Sequence, residues 1–272
     1  MSTTLGSIEI SYAQMAIGMV PLGIVILLSA VYKLGLIKSL VIAVVRACIQ
    51  LGIMGYLLVW VFAQDNPWVI SLLLIIMVAF ASQASERALK GISSKKIKFK
   101  IIKILFVSIA LGALSVLCYL QFVVVRPEPL WEGKYIIPLG GMLIAQSMVA
   151  GSLAVERLRS EFEARADEIE TLLALGATSA EASRESVKVA MTAALMPIIN
   201  SMMVLGIVAL PGMMSGQILA GVSPLLAVRY QLLIFFCIAA SAALVSWLSI
   251  RMVRSLFFTR DDQFIRLESL QN

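Results

Sequence analysis

The chain has 272 residues, 60% of them hydrophobic and only 14% charged, with a formal net charge of +6 and a mean hydropathy of +0.96. Soluble domains carry about a quarter charged residues, so this composition excludes an ordinary soluble module and implies an all-α integral membrane protein. There is no His, and Cys48, Cys118 and Cys237 stand singly in different apolar runs, which excludes a Cys/His metal cluster of familiar spacing and a disulfide framework.

Apolar runs able to cross about 30 Å of hydrocarbon fall at 10–31, 39–62, 68–84, 101–125, 135–153, 190–210 and 230–250, which predicts seven membrane helices. The first run has no basic stretch before it and no small-residue cleavage site, so it reads as a first span and not as a removable signal. In the second, Arg46 and Gln50 lie one turn apart on one face. An intramembrane Arg is costly and marks a candidate substrate path; Arg46 could instead snorkel to the interface, whereas Gln50 is too short to do so. Gly52 and Gly55 put small residues at helical spacing and predict a close helix contact.

A basic loop follows the third run, with Arg87, Lys90, Lys95, Lys96, Lys98, Lys100 and Lys103. It suits anionic lipid heads; no aromatics alternate with the lysines, so no nucleic-acid site is expected. Gly91 opens the run GISSKK, which lacks the second glycine of a P-loop, so this chain binds no ATP that way and any ATP-driven work needs another polypeptide. Further along, Gln146 in span five and Asn200 and Ser201 in span six offer oxygens to a substrate path, or hydrogen bonds between helices. Met142, Met148, Met202, Met203, Met213 and Met214 read as apolar filling in preference to a thioether metal path.

Between spans five and six comes the one long polar excursion, about 154–188. Leu158, Phe162, Ile169 and Leu172 fall on one helical face, with Glu161, Glu163, Asp167, Glu168 and Glu170 around the rest. Gly176 suits the left-handed residue past a helix end, and Thr178 to Glu181 fits a capping box opening the next helix. The prediction is a helical hairpin, either a lever gripped by another protein or a solvated extension of a membrane helix. Residues 210–229 are also apolar but broken by Pro211, Gly212, Gly216, Gly221 and Pro224, so a short surface helix or re-entrant piece is expected there. The spacing of Gly212, Gly216 and Ala220 predicts a second close helix contact.

Lys33, Lys38, the basic loop, the five Lys and Arg of the excursion, Arg251, Arg254, Arg260 and Arg266 fall on one side of a seven-span chain. Only Arg126, Lys134 and Arg229 fall near the other. The positive-inside rule then sets the N-terminus outside, the C-terminus inside and the hairpin in the cytoplasm.

Three blocks carry a family resemblance: VRACIQL at 45–51 followed by Gly55-Tyr56, IPLGGM at 137–142, and LPGMMSGQILAGVSPLLAVRYQ at 210–231, with Pro211, Gly212, Met213, Met214, Gly216, Gly221, Pro224, Tyr230 and Gln231 as its signature. In order and spacing they resemble the FetB family of ABC-transporter permease subunits over nearly the whole chain. The resemblance implies a single permease domain, 1–272, with no enzyme site of its own, in a bacterial inner membrane. It implies pairing with a FetA-like ATPase that binds the ATP, and iron export; plant relatives are tied to aluminium tolerance and nucleotide-sugar movement. Glu170, six residues before Gly176, is similar to the docking-loop glutamate of ABC importer permeases, so Glu170, Gly176, Ala177, Thr178 and Glu181 are the candidate coupling residues. Thr171 and Leu172 depart from that motif. Ser223 and Asn200 stand where some relatives have acids, so the resemblance carries over no acidic metal site.

One such chain would engage only one of two ATPases, which predicts a homodimer. Hard-cation export would draw on Gln50, Gln146, Asn200 and Ser201, whereas Arg46 favours an anion or a chelate. A membrane scaffold that recruits a partner without transport is the other functional class left open.

Overall fold

The computed structural model describes residues 11–35, 37–64, 66–85, 92, 94–259 and 261–266. Arg87, Lys90, Gly91 and Arg260 lie outside the described residues, and so does residue 10, where the first run was expected to begin. The described chain is helical, with seven helices long and apolar enough to cross a membrane: Ala13–Val31, Ile37–Gln64, Pro67–Ala84, Lys95–Val125, Gly133–Ala164, Arg184–Val204 and Pro224–Arg254. Along the chain the elements are α1 (Tyr12–Gly18), α2 (Val20–Val31), α3 (Ile37–Gln64), α4 (Pro67–Ala84), α5 (Lys95–Tyr119), α6 (Gly133–Ala164), α7 (Ala166–Ala174), α8 (Ser179–Ala182), α9 (Arg184–Val204), α10 (Gly212–Leu219) and α11 (Pro224–Arg254).

Local chemistry explains where these helices begin and end. Ser11 and Gln14 form a capping box at α1, and the Asn66 side chain accepts from the Trp68 N–H at 3.0 Å ahead of Pro67 at the first turn of α4. α5 continues through Leu120–Val125 as a wider π turn, and Gln121 donates from Nε2 to the Leu130 carbonyl at 2.7 Å, tying that end to the start of α6.

The five helices α4, α5, α6, α9 and α11 pack into one bundle; α3 touches it thinly through α6, and α2 packs on α3. At the centre of the bundle, a methyl group added to Gly112 of α5 would lie 2.5 Å from a Val245 methyl of α11, so glycine permits the close approach of those two helices. Two buried clusters result. One fills the membrane part of the bundle around Ile109, Leu143, Ile238 and Val245. The other lies at the hairpin end around Leu105, Leu158, Phe162, Ala190 and Val253.

Several expected boundaries shift. Span six ends at Val204, not at 210, because the chain turns through Gly206, whose φ is +79°, before Pro211. Span seven begins at Pro224, not at Tyr230, since Pro at the first turn starts a helix as well as it stops one. The broken stretch at 210–229 becomes the short α10, followed by a turn in which Gly221 has φ +89°. The close contacts predicted at Gly52, Gly55, Gly212 and Gly216 are not made within the chain: a side chain built at any of them would meet nothing within 4 Å.

Candidate functional site

The polar excursion folds as predicted in outline, with more joints. α6 runs to Ala164, the chain breaks at Arg165 (φ −112°, ψ 21°), and the acidic α7 follows. The apolar stripe survives the break: Leu158, Phe162 and Ile169 are all buried and Leu172 packs against the same cluster. α7 ends in a Schellman motif. The Gly176 N–H donates to the Leu173 carbonyl and the Ala177 N–H to the Leu172 carbonyl, both at 3.0 Å, with Gly176 at φ +91°. The capping box is reciprocal as well: Thr178 N–H donates to Glu181 Oε2 at 2.9 Å, and Glu181 N–H donates to Thr178 Oγ1 at 3.3 Å. It opens only the four-residue α8. A second break at Ser183 precedes α9.

Electrostatics around the hairpin come from paired charges. Arg165 forks onto Glu168 at 2.7 and 2.8 Å, which raises the guanidinium pKa and lowers that of the carboxyl. Glu170 is not a free acid awaiting a partner. Arg266 donates to its two oxygens at 2.7 and 2.8 Å, and holds its carboxyl below the usual carboxylate range. The same guanidinium reaches Asp167 at 2.6 Å. What the hairpin presents outward is its tip, where Leu175 is 80% exposed beside Gly176. Sequence reading missed both Arg266 and Leu175: the first is remote in the chain, and the second falls off the apolar stripe.

The intramembrane candidates fall into two groups. Arg46 and Gln50 are exposed on α3, where with Val41, Ile42, Val45 and Ile49 they line a groove of about 380 Å³. Gln146, Asn200 and Ser201 are exposed on α6 and α9, which pack on each other, and the Ser201 hydroxyl donates to the Pro197 carbonyl at 2.8 Å. One chain brings the second group onto neighbouring helices and leaves Arg46 and Gln50 apart on a thinly packed helix. In the signature block, Pro211 caps α10, Gly221 and Val222 close it with another Schellman motif, and Pro224 starts α11, so much of the block is structural punctuation. Met213 packs on the bundle, while Met214 and Tyr230 are half-buried. Gln231 is the exception: it is 5% exposed and neither amide atom has a partner. Among the described residues no three His, Cys, Asp or Glu side chains are grouped so as to hold a metal ion.

A family model described as "Uncharacterised protein family (UPF0014)" matches residues 12–258. The chain is similar to UPF0014 membrane protein YjkA of Bacillus subtilis, at 38% identity over 90% of this chain and 95% of the relative. It is 36% identical to UPF0014 membrane protein slr1647 of Synechocystis, over 95% of this chain and 98% of that one. It is also 29% identical to the protein of Escherichia coli named "Probable iron export permease protein FetB", over 96% of this chain and 97% of that one. No solved structure matches the chain.

Proposed function

The chain belongs to the UPF0014 family of membrane proteins, and on that premise we propose that it is the membrane-spanning permease subunit of an ABC transporter that exports iron. The observation that carries this reading is the hairpin. Its apolar stripe packs with Leu105, Ala190 and Val253 at the ends of three spans, its Schellman stop and capping box define the turn, and a packed hairpin that ends in an exposed Leu is a shape another protein can grip. The partner in this reading is a separate ATPase, which binds the ATP, and the lysine and arginine asymmetry favours a cytoplasmic hairpin and C-terminus.

Two copies assemble around one path. Arg46, Gln50, Gln146, Asn200 and Ser201 carry polar atoms inside the spans yet are exposed in a single chain, and hydrocarbon is a poor cover for such groups. A second protomer and a water-filled path would cover them. Movement of the two hairpins on nucleotide closure would then exchange access to that path.

The charge pattern favours one form of cargo. Among the described residues the spans carry acidic groups only near the hairpin end, at Glu156, Glu161, Glu163 and Glu185, whereas Arg46 is a cation inside the apolar helix Ile37–Gln64. Iron moving as an anionic chelate, or another anion such as a nucleotide sugar, suits this path better than a bare cation. The test is ATP turnover of the reconstituted complex with ferrous ion, ferric citrate and a nucleotide sugar. Stimulation by the chelate is expected; stimulation by ferrous ion alone would overturn the cargo reading, and failure of the ATPase to bind would overturn the permease reading in favour of a scaffold.

A further inference from the structure

The hairpin is fastened to the last span by the tail of the chain. After α11 ends at Arg254 the chain folds back on itself: Phe258 and Phe264 form an antiparallel bridge, and the Ile265 N–H donates to the Phe257 carbonyl at 2.8 Å. The turn is held by the Gln263 N–H, which donates to Thr259 Oγ1 at 3.0 Å. Three tail rings then surround Phe162, the last buried residue of α6. Phe257, Phe258 and Phe264 meet it near edge-on, with centroids 5.2, 5.9 and 5.8 Å away. From that anchor Arg266 reaches α7 and engages Asp167 and Glu170, which lie on one face three residues apart.

The joints give this arrangement its consequence. α7 and α8 are set off from α6 and α9 by bends at Arg165 and Ser183, and each of the two short helices buries a single side chain fully, Ile169 and Ala182, so any further tie to the tip limits how far it can pivot there. An exposed ion pair on its own holds little. Here a bidentate fork, extended to a second carboxylate, is carried on a ring cluster built on buried Phe162 and Phe257 and continuous with α11.

We propose that residues 255–259 and 261–266 form a latch that makes α7 move with the last span, with Arg266 as the positioning residue that sets the hairpin's angle. The proposal rests on the permease reading and deepens it: force from the ATPase would enter at the tip and pass through the tail to α11, as well as along α6 and α9.

The test uses the full-length chain with Arg266→Gln, Arg266→Lys and Phe264→Ala, read first by amide exchange of residues 166–175 without the ATPase, then by ATP turnover per bound complex. Arg266→Gln is expected to speed α7 exchange about fivefold and Phe264→Ala more, with exchange in the membrane part of α6 unchanged. Arg266→Lys keeps the charge but not the fork and should fall between. The ATPase should still copurify with Arg266→Gln in equal amount, while turnover per complex drops several-fold. Unchanged α7 exchange in both Arg266→Gln and Phe264→Ala would overturn the latch, and so would faster exchange with undiminished turnover. If the wild-type chain binds no ATPase, the permease reading falls, and the exchange measurement still decides whether the tail holds α7.

Discussion

Two regions of the molecule solve opposite problems. The hairpin and tail are polar in composition, yet they close over Leu158, Phe162, Ile169 and Phe257 and pair their charges internally. The first two spans are almost wholly apolar, yet no more than 6% of either span's most apolar stretch is buried within the chain, against 50% for Gly133–Ala164 and Pro224–Arg254. Hydrophobicity therefore does not mark the folded core of a membrane protein. The bilayer accepts α1 to α3 as they are, and only their polar residues demand a protein neighbour.

Substitutions that shorten side chains separate the two regions most sharply. Phe162→Ala removes the hub of the ring cluster and should cost about 3–5 kcal/mol, a large fall in the thermal midpoint in detergent. Ile53→Ala, on α3 and 63% exposed, should leave that midpoint nearly unchanged. Equal losses would show that the Ile53 face of α3 packs against protein and not lipid. At the tip, Gly176→Val forces a β-branched residue to φ +91° and should cost roughly 1 kcal/mol or more, lowering exchange protection from 172 to 178 and partner-stimulated turnover together. Loss of the capping hydroxyl in Thr178→Ala should cost about 1 kcal/mol and be confined to α8 and the start of α9.

In the first two spans the prediction is reversed, with function lost and stability kept. Gln50→Leu should leave the thermal midpoint unaltered and lower transport. Arg46→Lys should lower transport too if the planar fork grips an anion, and be silent if the side chain only reaches the interface.

The smallest effect concerns pH. The carboxyl of Glu170 is held low by the Arg266 fork, and that of Glu181 by the Thr178 backbone N–H and then its hydroxyl. An acid whose folded pKa lies below its unfolded value of about 4.3 contributes stability above that value and loses it as pH falls through the folded pKa. Exchange protection of the hairpin should thus stay flat from about pH 8 to pH 5 and drop only in stronger acid. A drop near pH 6 would mean that these carboxylates are not paired as described.

The seven spans and the hairpin were legible because they depend on local signals: apolar run length, glycine at a helix stop, and a threonine three residues before a glutamate. Helix ends near Pro211 and Pro224 were not, since proline both ends and begins helices and only the surrounding chain decides which. Arg266 was visible only as one more positive charge, because its partners lie about a hundred residues away in sequence and nothing local announces a long-range ion pair. The glycines at 52, 55, 212 and 216 misled for a related reason. Small-residue spacing marks a face that can be approached closely, and does not say by what.

Docking through the hairpin tip is the claim on which the rest depends. A photoreactive side chain placed at Leu175, and in a parallel sample at Ile53, reads it directly in membranes that contain the ATPase. Position 175 should form an adduct with the ATPase, and position 53 only with lipid or a second copy of this chain. A complex that retains full stimulated turnover yet gives no ATPase adduct from position 175 would contradict the account.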